Sequence, residues 1–388
     1  MPADVPSSSP LDPMTHTPVP LLDLKAQHAT IKHEVTALVN AVIEDQAFIL
    51  GPIVGQLECA VAGLSKTRFA VGCANGTDAI LIAMRALEIG RDDEVVTTPF
   101  TFFATAGTIH NVGARPVFAD IDPLTFNIDP AAAGAAVTSR TRAVIPVDLF
   151  GQMAAIDAVR THVGALPIIE DAAQSIGAHR MIDGAAVMAG EGATIGTFSF
   201  FPSKNLGGYG DGGMIVTQDE TLSTRMMKLR MHGSLKTYYH EMVGYNSRLD
   251  ALQAAVLMAK LPHLEAWSAA RRANAAFYDH ALADVAEIVT PYVDPANTSV
   301  YNQYTIRAQR RDDLQAHLKA RGIGCAIYYP LPLHLQPCFA YLGYREGQFP
   351  ESERAAQEVL SLPVFPELTT AQRDIVIEGV RSFYGRSA

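Results

Sequence analysis

Seven short runs rich in β-branched and aromatic residues recur through the first two thirds of this chain, with helical stretches between several of them. They are "RFAVGC", "EVVTTP", "RPVFADI", "RAVIPV", "LPIIED", "ATIGTFSFF" and "GGMIVT". The intervening helical segments include "GTDAILIAMRAL" and "MAAIDAVRTHV". Apolar strands alternating with helices predict an α/β fold: a mostly parallel seven-stranded central sheet flanked by helices. After Asn246 the pattern changes. "RLDALQAAVLMAKL" puts Leu249, Leu252, Val256 and Leu257 on one helical face, and Pro262 then breaks or kinks that helix. A strand ("VYNQYTIRA"), a helix ("RDDLQAHLKARG") and another strand ("GCAIYYP") follow, the order of a small α+β C-terminal domain. The expected division is a flexible tail over 1–17, a large domain over 18–260 and a small domain over 261–388.

Composition sets the outer limits. With 48% hydrophobic and 18% charged residues the chain has material for a sizeable core, and its formal charge of -10 disfavours nucleic acid and anionic membrane as partners. No apolar run approaches the roughly 18 residues needed to cross a bilayer. The first twenty residues hold six prolines and no lysine or arginine, unlike a signal peptide. Four cysteines form no CxxC pair and no metal-ligand spacing, which together predicts a cytoplasmic protein with reduced thiols.

The chemistry concentrates in "TFSFFPSKNLGGYGDGG", residues 197–213. Gly208, Gly210 and Gly213 satisfy the G-x-G-x-x-G pattern, but they precede a strand instead of opening a helix, so no pyrophosphate would meet a helix N-terminus there. Lys204 is better read as a covalent anchor, since an apolar wall keeps an amine neutral and nucleophilic. The glycines would let backbone approach a flat ring closely and take conformations closed to other residues. A lysine beside glycines can also be a plain surface loop. The second feature is "LPIIEDAAQS", an apolar strand ending in Glu170 and Asp171, 33 residues before Lys204. Pyridoxal 5′-phosphate needs a lysine for its aldehyde and an acid for its ring nitrogen, and Asp171 with Lys204 supplies both. An N-cap for the next segment is the plainer role for Asp171. The third is "FAVGCANGTDAILIAMRAL": strand, tight turn, then a helix beginning near Thr77. The N–H groups of Gly76 and Thr77, with the Thr77 hydroxyl, would meet a phosphate at that helix start.

At these residues the chain resembles the DegT/StrS family of nucleotide-sugar aminotransferases, which share the aspartate-aminotransferase fold. The resemblance runs from "VPLLDLKAQH" nearly to the C-terminus and includes "FILGPIVGQLE", "CANGTDAI", "TPFTFFATA", "IPVDLFGQ", "IIEDAAQS", "FFPSKNLGGYGDGG", "GYNSRLDALQAAVL" and "YYPLPLHLQ". It implies a PLP-dependent transferase of fold type I, cycling between pyridoxal and pyridoxamine phosphate. It also implies Lys204 as Schiff-base lysine, Asp171 on the pyridinium nitrogen, Gln174 on the ring hydroxyl and Phe102 stacked on the ring. Gly76, Thr77 and Ser199 would bind phosphate, joined by Asn246 from the partner subunit of a homodimer with shared active sites. Read without the family, Phe102 could be core, Ser199 a strand edge, Asn246 a turn or cap and Gln174 a solvated helix residue. Relatives that dehydrate a sugar carry histidine in place of this lysine, so Lys204 favours transamination. Asp148 and Tyr328 depart from the family's usual histidines and leave the substrate's identity open.

The pattern is nearest to enzymes that aminate C3 of UDP-2-acetamido-2-deoxy-3-oxo-glucuronate with L-glutamate. Arg248 could clamp a carboxylate of either compound, and Tyr329 and His334 are candidates for sugar or nucleotide contacts. Alternatives are a dTDP-3-oxo-6-deoxyhexose aminotransferase or, in another class, a non-catalytic PLP-binding sensor or regulator.

Overall fold

The computed structural model describes residues 18–386, and the tail expected over 1–17 lies outside the described residues. All seven expected runs form strands: β1 (Phe69–Cys73), β2 (Glu94–Thr97), β3 (Arg115–Phe118), β4 (Thr141–Ile145), β5 (Ile169–Asp171), β6 (Ile195–Ser199) and β7 (Gly213–Thr217). The ladders β1–β7–β6–β5 and β4–β2–β3 join through parallel bridges Val144↔Ile168 and Val147↔Asp171. The result is one sheet, parallel except for β7, which runs against both its neighbours. Every residue of β2 and β7 is buried, as a sheet covered by helices on both faces requires.

Helix Gly76–Ala86 packs across β6 and β7 and buries Ala79, Ile80, Ile82, Ala83, Met84 and Ala86. Its start is set locally: the Asn75 side chain accepts the Asp78 N–H at 2.8 Å, and Asp78 in the first turn with Arg85 in the last complement the helix dipole. The expected helix "MAAIDAVRTHV" begins only at Ile156. Its first residues are drawn elsewhere, the Ala154 N–H to Asp148 Oδ1 at 2.8 Å and the Met153 carbonyl to Asn297 at 2.9 Å.

Helix Ala251–Lys260 passes through a three-residue turn containing Pro262 into helix Leu264–Leu282, so the proline kinks the path without ending it. Beyond it, an antiparallel sheet of Ile288–Val289, Tyr304–Ala308 and Val359–Leu362 carries its own apolar cluster with the following helices. The run "GCAIYYP" contributes only the bridge Ala326↔Ser361. Val19 belongs to this C-terminal cluster and pairs with Ile323.

Candidate active site

The ends of β1, β5 and β6 deliver their next residues to one crevice, the position where open α/β sheets bind ligands. Asp171 closes β5 and is buried. Its Oδ2 accepts the Thr105 hydroxyl at 2.8 Å and its Oδ1 accepts the Ala173 N–H at 3.3 Å. Burial raises this carboxyl above its ordinary range, against the pull of both hydrogen bonds and of Lys204. Lys204 follows β6, and its amine has no hydrogen-bond acceptor among the described residues. Burial pushes that amine down to about 8, and the nearby Asp171 charge opposes the shift. A fraction of neutral, nucleophilic amine is therefore present near neutral pH.

The helix start at Gly76 is pressed against the end of β6. A Cβ on Gly76 would lie 2.6 Å from Ser199 Cβ, and one on Gly213 would lie 2.4 Å from the Asn75 carbonyl oxygen. Glycine is required at both by space. The N–H groups of Gly76 and Thr77 open the helix, so neither has an intrahelical acceptor. Two orphan donors at the positive end of a helix, beside the Ser199 hydroxyl, make an anion cradle.

Beyond Lys204, none of the five glycines from 207 to 213 takes a left-handed conformation. The expectation that they serve unusual backbone angles is corrected: they serve close approach within the protein. A Cβ on Gly207 would sit 2.4 Å from the Pro202 carbonyl oxygen, and one on Gly208 2.8 Å from Gln253 Oε1. The loop is pinned from outside by Lys260, whose buried amine donates to the Gly207 carbonyl at 2.7 Å, and by Gln253, which accepts the Tyr209 N–H at 2.8 Å.

Phe102 is 58% exposed, a large apolar face turned to solvent. Its ring lies 6.3 Å from that of Tyr329, whose hydroxyl accepts Gln174 Nε2 at 3.3 Å. Gln174 Oε1 accepts the Phe150 N–H at 2.6 Å. Phe102, Tyr329 and Gln174 thus form one group. Asn246 is exposed, and Arg248 is half-buried with Met231 Sδ at 3.9 Å as its guanidinium's acceptor. Between them, the Ser247 hydroxyl accepts the Ala74 N–H at 3.3 Å, so this segment runs beside the turn that leads to Gly76. His334 stands apart from that group. It is buried, bonds Glu353 at 3.0 Å and packs on Phe349, while burial lowers its imidazole's proton affinity.

Three participants were not foreseen. Thr105 orients Asp171, the Phe150 N–H orients Gln174, and Glu170 lies buried behind Asp171. The threonine-rich "TPFTFFAT" was the available signal for the first.

The donor set fits pyridoxal 5′-phosphate. A free lysine amine suits the aldehyde, a buried carboxylate the ring nitrogen, paired helix N–H groups the phosphate and an exposed aromatic face the ring. Comparison with known proteins agrees. The profile of the DegT/DnrJ/EryC1/StrS aminotransferase family matches residues 29–381. The chain is 52% identical over 372 residues to a Geobacillus stearothermophilus protein named pleiotropic regulatory protein, covering 94% of this chain and 98% of that one. It is 44% identical over 360 residues to the UDP-2-acetamido-2-deoxy-3-oxo-D-glucuronate aminotransferase of Pseudomonas aeruginosa, covering 92% and 98%. Among solved structures, DesV of S. venezuelae, captured with a ketimine intermediate, superposes with a TM-score of 0.93 at 40% identity, covering 96% of this chain and 100% of that one. The matched span takes in both the strand-end crevice and the C-terminal sheet, and the chain belongs to the DegT/DnrJ/EryC1/StrS aminotransferase family as a PLP-dependent sugar aminotransferase of fold type I.

Proposed function

We propose that this chain transfers the amino group of L-glutamate to C3 of UDP-2-acetamido-2-deoxy-3-oxo-glucuronate, as a cytoplasmic homodimer with shared active sites. The observation that carries the chemistry is the unpaired Lys204 amine, lowered to about 8, acting across the crevice on the buried Asp171 carboxylate. The 44% identity to the Pseudomonas aeruginosa enzyme supports the choice of sugar.

When bound, pyridoxal phosphate supplies an aldehyde that bonds amines and a ring that takes up the electrons left by a departing Cα proton. Lys204 would hold the cofactor's aldehyde and would serve as the base that moves the substrate's Cα proton. Asp171, whose charged form the Thr105 hydroxyl and the Ala173 N–H favour against the effect of burial, would keep the ring nitrogen protonated. Gln174 would bind the ring hydroxyl, and Phe102 would cover the ring face and exclude water. Gly76, Thr77 and Ser199 hold the phosphate, with Asn246 of the opposite subunit completing that grip. Arg248 clamps a substrate carboxylate, since it has no carboxylate partner of its own among the described residues. Tyr329 belongs to the sugar side of the crevice in this reading, whereas His334, buried against Glu353 and Phe349, does not reach it.

The regulatory name carried by the Geobacillus stearothermophilus relative raises a second reading, a cofactor-binding sensor. One experiment separates them. Purified protein loaded with pyridoxal phosphate is mixed with L-glutamate, and the visible absorbance and 2-oxoglutarate are followed, then a panel of UDP- and dTDP-linked keto-sugars is added. Bleaching with stoichiometric 2-oxoglutarate, then amination of the acid sugar, is expected. Absence of 2-oxoglutarate would leave the sensor, and preference for a sugar lacking the carboxylate would overturn the substrate.

A further inference from the structure

Behind Asp171 two carboxyl groups meet in the interior. Asp148 and Glu170 are both 0% exposed. Asp148 is fixed as an acceptor twice: Oδ1 takes the Ala154 N–H at 2.8 Å and Oδ2 takes the Ser175 hydroxyl at 2.7 Å. Glu170 Oε2 takes the Gly190 N–H at 2.8 Å, while its Oε1 is buried without a donor. The two side chains lie within hydrogen-bond reach of each other. Among the described residues no cation forms an ion pair or hydrogen bond with either, and the nearby Asp171 charge acts on Asp148.

Two ionised carboxylates in contact, out of water and without a counter-ion, repel strongly. One retained proton removes the repulsion and turns the orphaned Glu170 Oε1 into a donor. Asp148 already has two donors, so the proton belongs on Glu170. We propose that Glu170 is a neutral acid that donates its proton to Asp148, and that this pair is a positioning element for Asp171. The link is short: the Asp148 N–H bonds the Asp171 carbonyl at 3.0 Å, and Glu170 precedes Asp171 on β5. The pair places one negative charge behind Asp171, where two would raise that carboxyl's proton affinity and remove the charge the ring nitrogen needs. This inference rests on Asp171 being the ring anchor. Burial pushes Asp148 up to about 6, and burial with the Asp148 charge raises Glu170 well above its ordinary value, in keeping with a pair that shares one proton.

The sign of the pH effect follows. Above the ordinary glutamate value of about 4.3 the unfolded chain has lost this proton and the folded chain keeps it, so stability falls as pH rises until the folded value is passed. The unfolding constant of wild type then carries a factor of about ten per pH unit that Glu170→Gln, neutral and still a donor, lacks.

The test starts with cofactor-free protein. Infrared spectra at pH 7.5 are expected to show a protonated-carboxyl band in wild type that Glu170→Gln loses, and denaturant unfolding at pH 6.5 and 7.5 should differ between the two by that tenfold. No band in wild type, or equal pH slopes, overturns the neutral acid. The positioning role is read in cofactor-loaded protein from the pH midpoint of its visible band. Glu170→Ala should move that midpoint and Glu170→Gln should restore it; a midpoint unmoved by alanine overturns positioning. If the infrared and pH results hold but no variant takes up pyridoxal phosphate, the ring-anchor reading fails, and the positioning claim with it, while the shared proton stands.

Discussion

Replacing Gly76 with alanine tests the phosphate cradle most directly. The added methyl would stand 2.6 Å from Ser199 Cβ, 3.0 Å from its Oγ and 3.1 Å from its Cα. Carbon atoms pack at about 3.5–4.0 Å, so the two segments must part by roughly 1 Å. Ser199 is held in register with Gly213, so the displacement falls on the helix start. Overpacking of this kind costs about 1–3 kcal/mol. With an unfolding entropy of about 2.1 cal/mol/K per residue over 388 residues, Tm should drop by about 1–4 °C. The same shift moves the Gly76 and Thr77 N–H groups off the anion. A hydrogen bond to a charged group is worth about 1.5–3 kcal/mol, so each one lost weakens pyridoxal phosphate binding roughly 10- to 150-fold. Calorimetry of cofactor-free protein and absorbance titration with pyridoxal phosphate measure the two effects. Ser199→Gly removes two of the three contacted atoms, so the double variant should regain stability relative to Gly76→Ala. Wild-type Tm and affinity in Gly76→Ala, or simple addition of the two losses, would refute the argument.

Thr105→Val removes the donor to Asp171 Oδ2, costing about 1–3 kcal/mol of stability and raising the carboxyl's proton affinity further; reduced activity with a shifted visible-band titration checks it. The Lys204 amine is lowered to about 8, so its neutral fraction grows on going from pH 7 to 8. Uptake of pyridoxal phosphate by cofactor-free protein should accelerate about five-fold across that interval and level off above it, as stopped-flow absorbance would show. Arg248→Leu should raise KM roughly 10- to 150-fold for a keto-sugar bearing a carboxylate and leave a neutral keto-sugar unaffected. An equal rise for both sugars would place Arg248 elsewhere.

Much of the frame was legible because it rests on local pattern. Unbroken apolar runs such as "GMIVT" and "AVI" do mark strands buried on both faces. Sheet order was not legible, because pairing of β7 between β1 and β6 joins residues distant in sequence and has no local signature. Val359–Leu362 went unrecognised, since four residues abutting a helix show no period, while "GCAIYYP" looks extended yet pairs at a single point. In the site, Lys204 and Asp171 stand out as candidates because few chemistries need a lysine and an acid at those places, and the fold brings their charges near each other. Thr105 and the Asp148–Glu170 contact were not: a buried hydroxyl and a buried carboxyl look like any others until the fold sets their neighbours.

The segment carrying Lys204 leaves β6 at Ser199 and returns into β7 at Gly213, and those two residues are paired across the ladder. The same two residues touch the turn at Asn75 and Gly76. The proposed covalent attachment and the proposed anion cradle are therefore mounted on one stem. If that stem tilts, both grips swing together and their separation is conserved, so the strain of any such motion concentrates at the third attachment, Asp171, which is seated on a neighbouring strand.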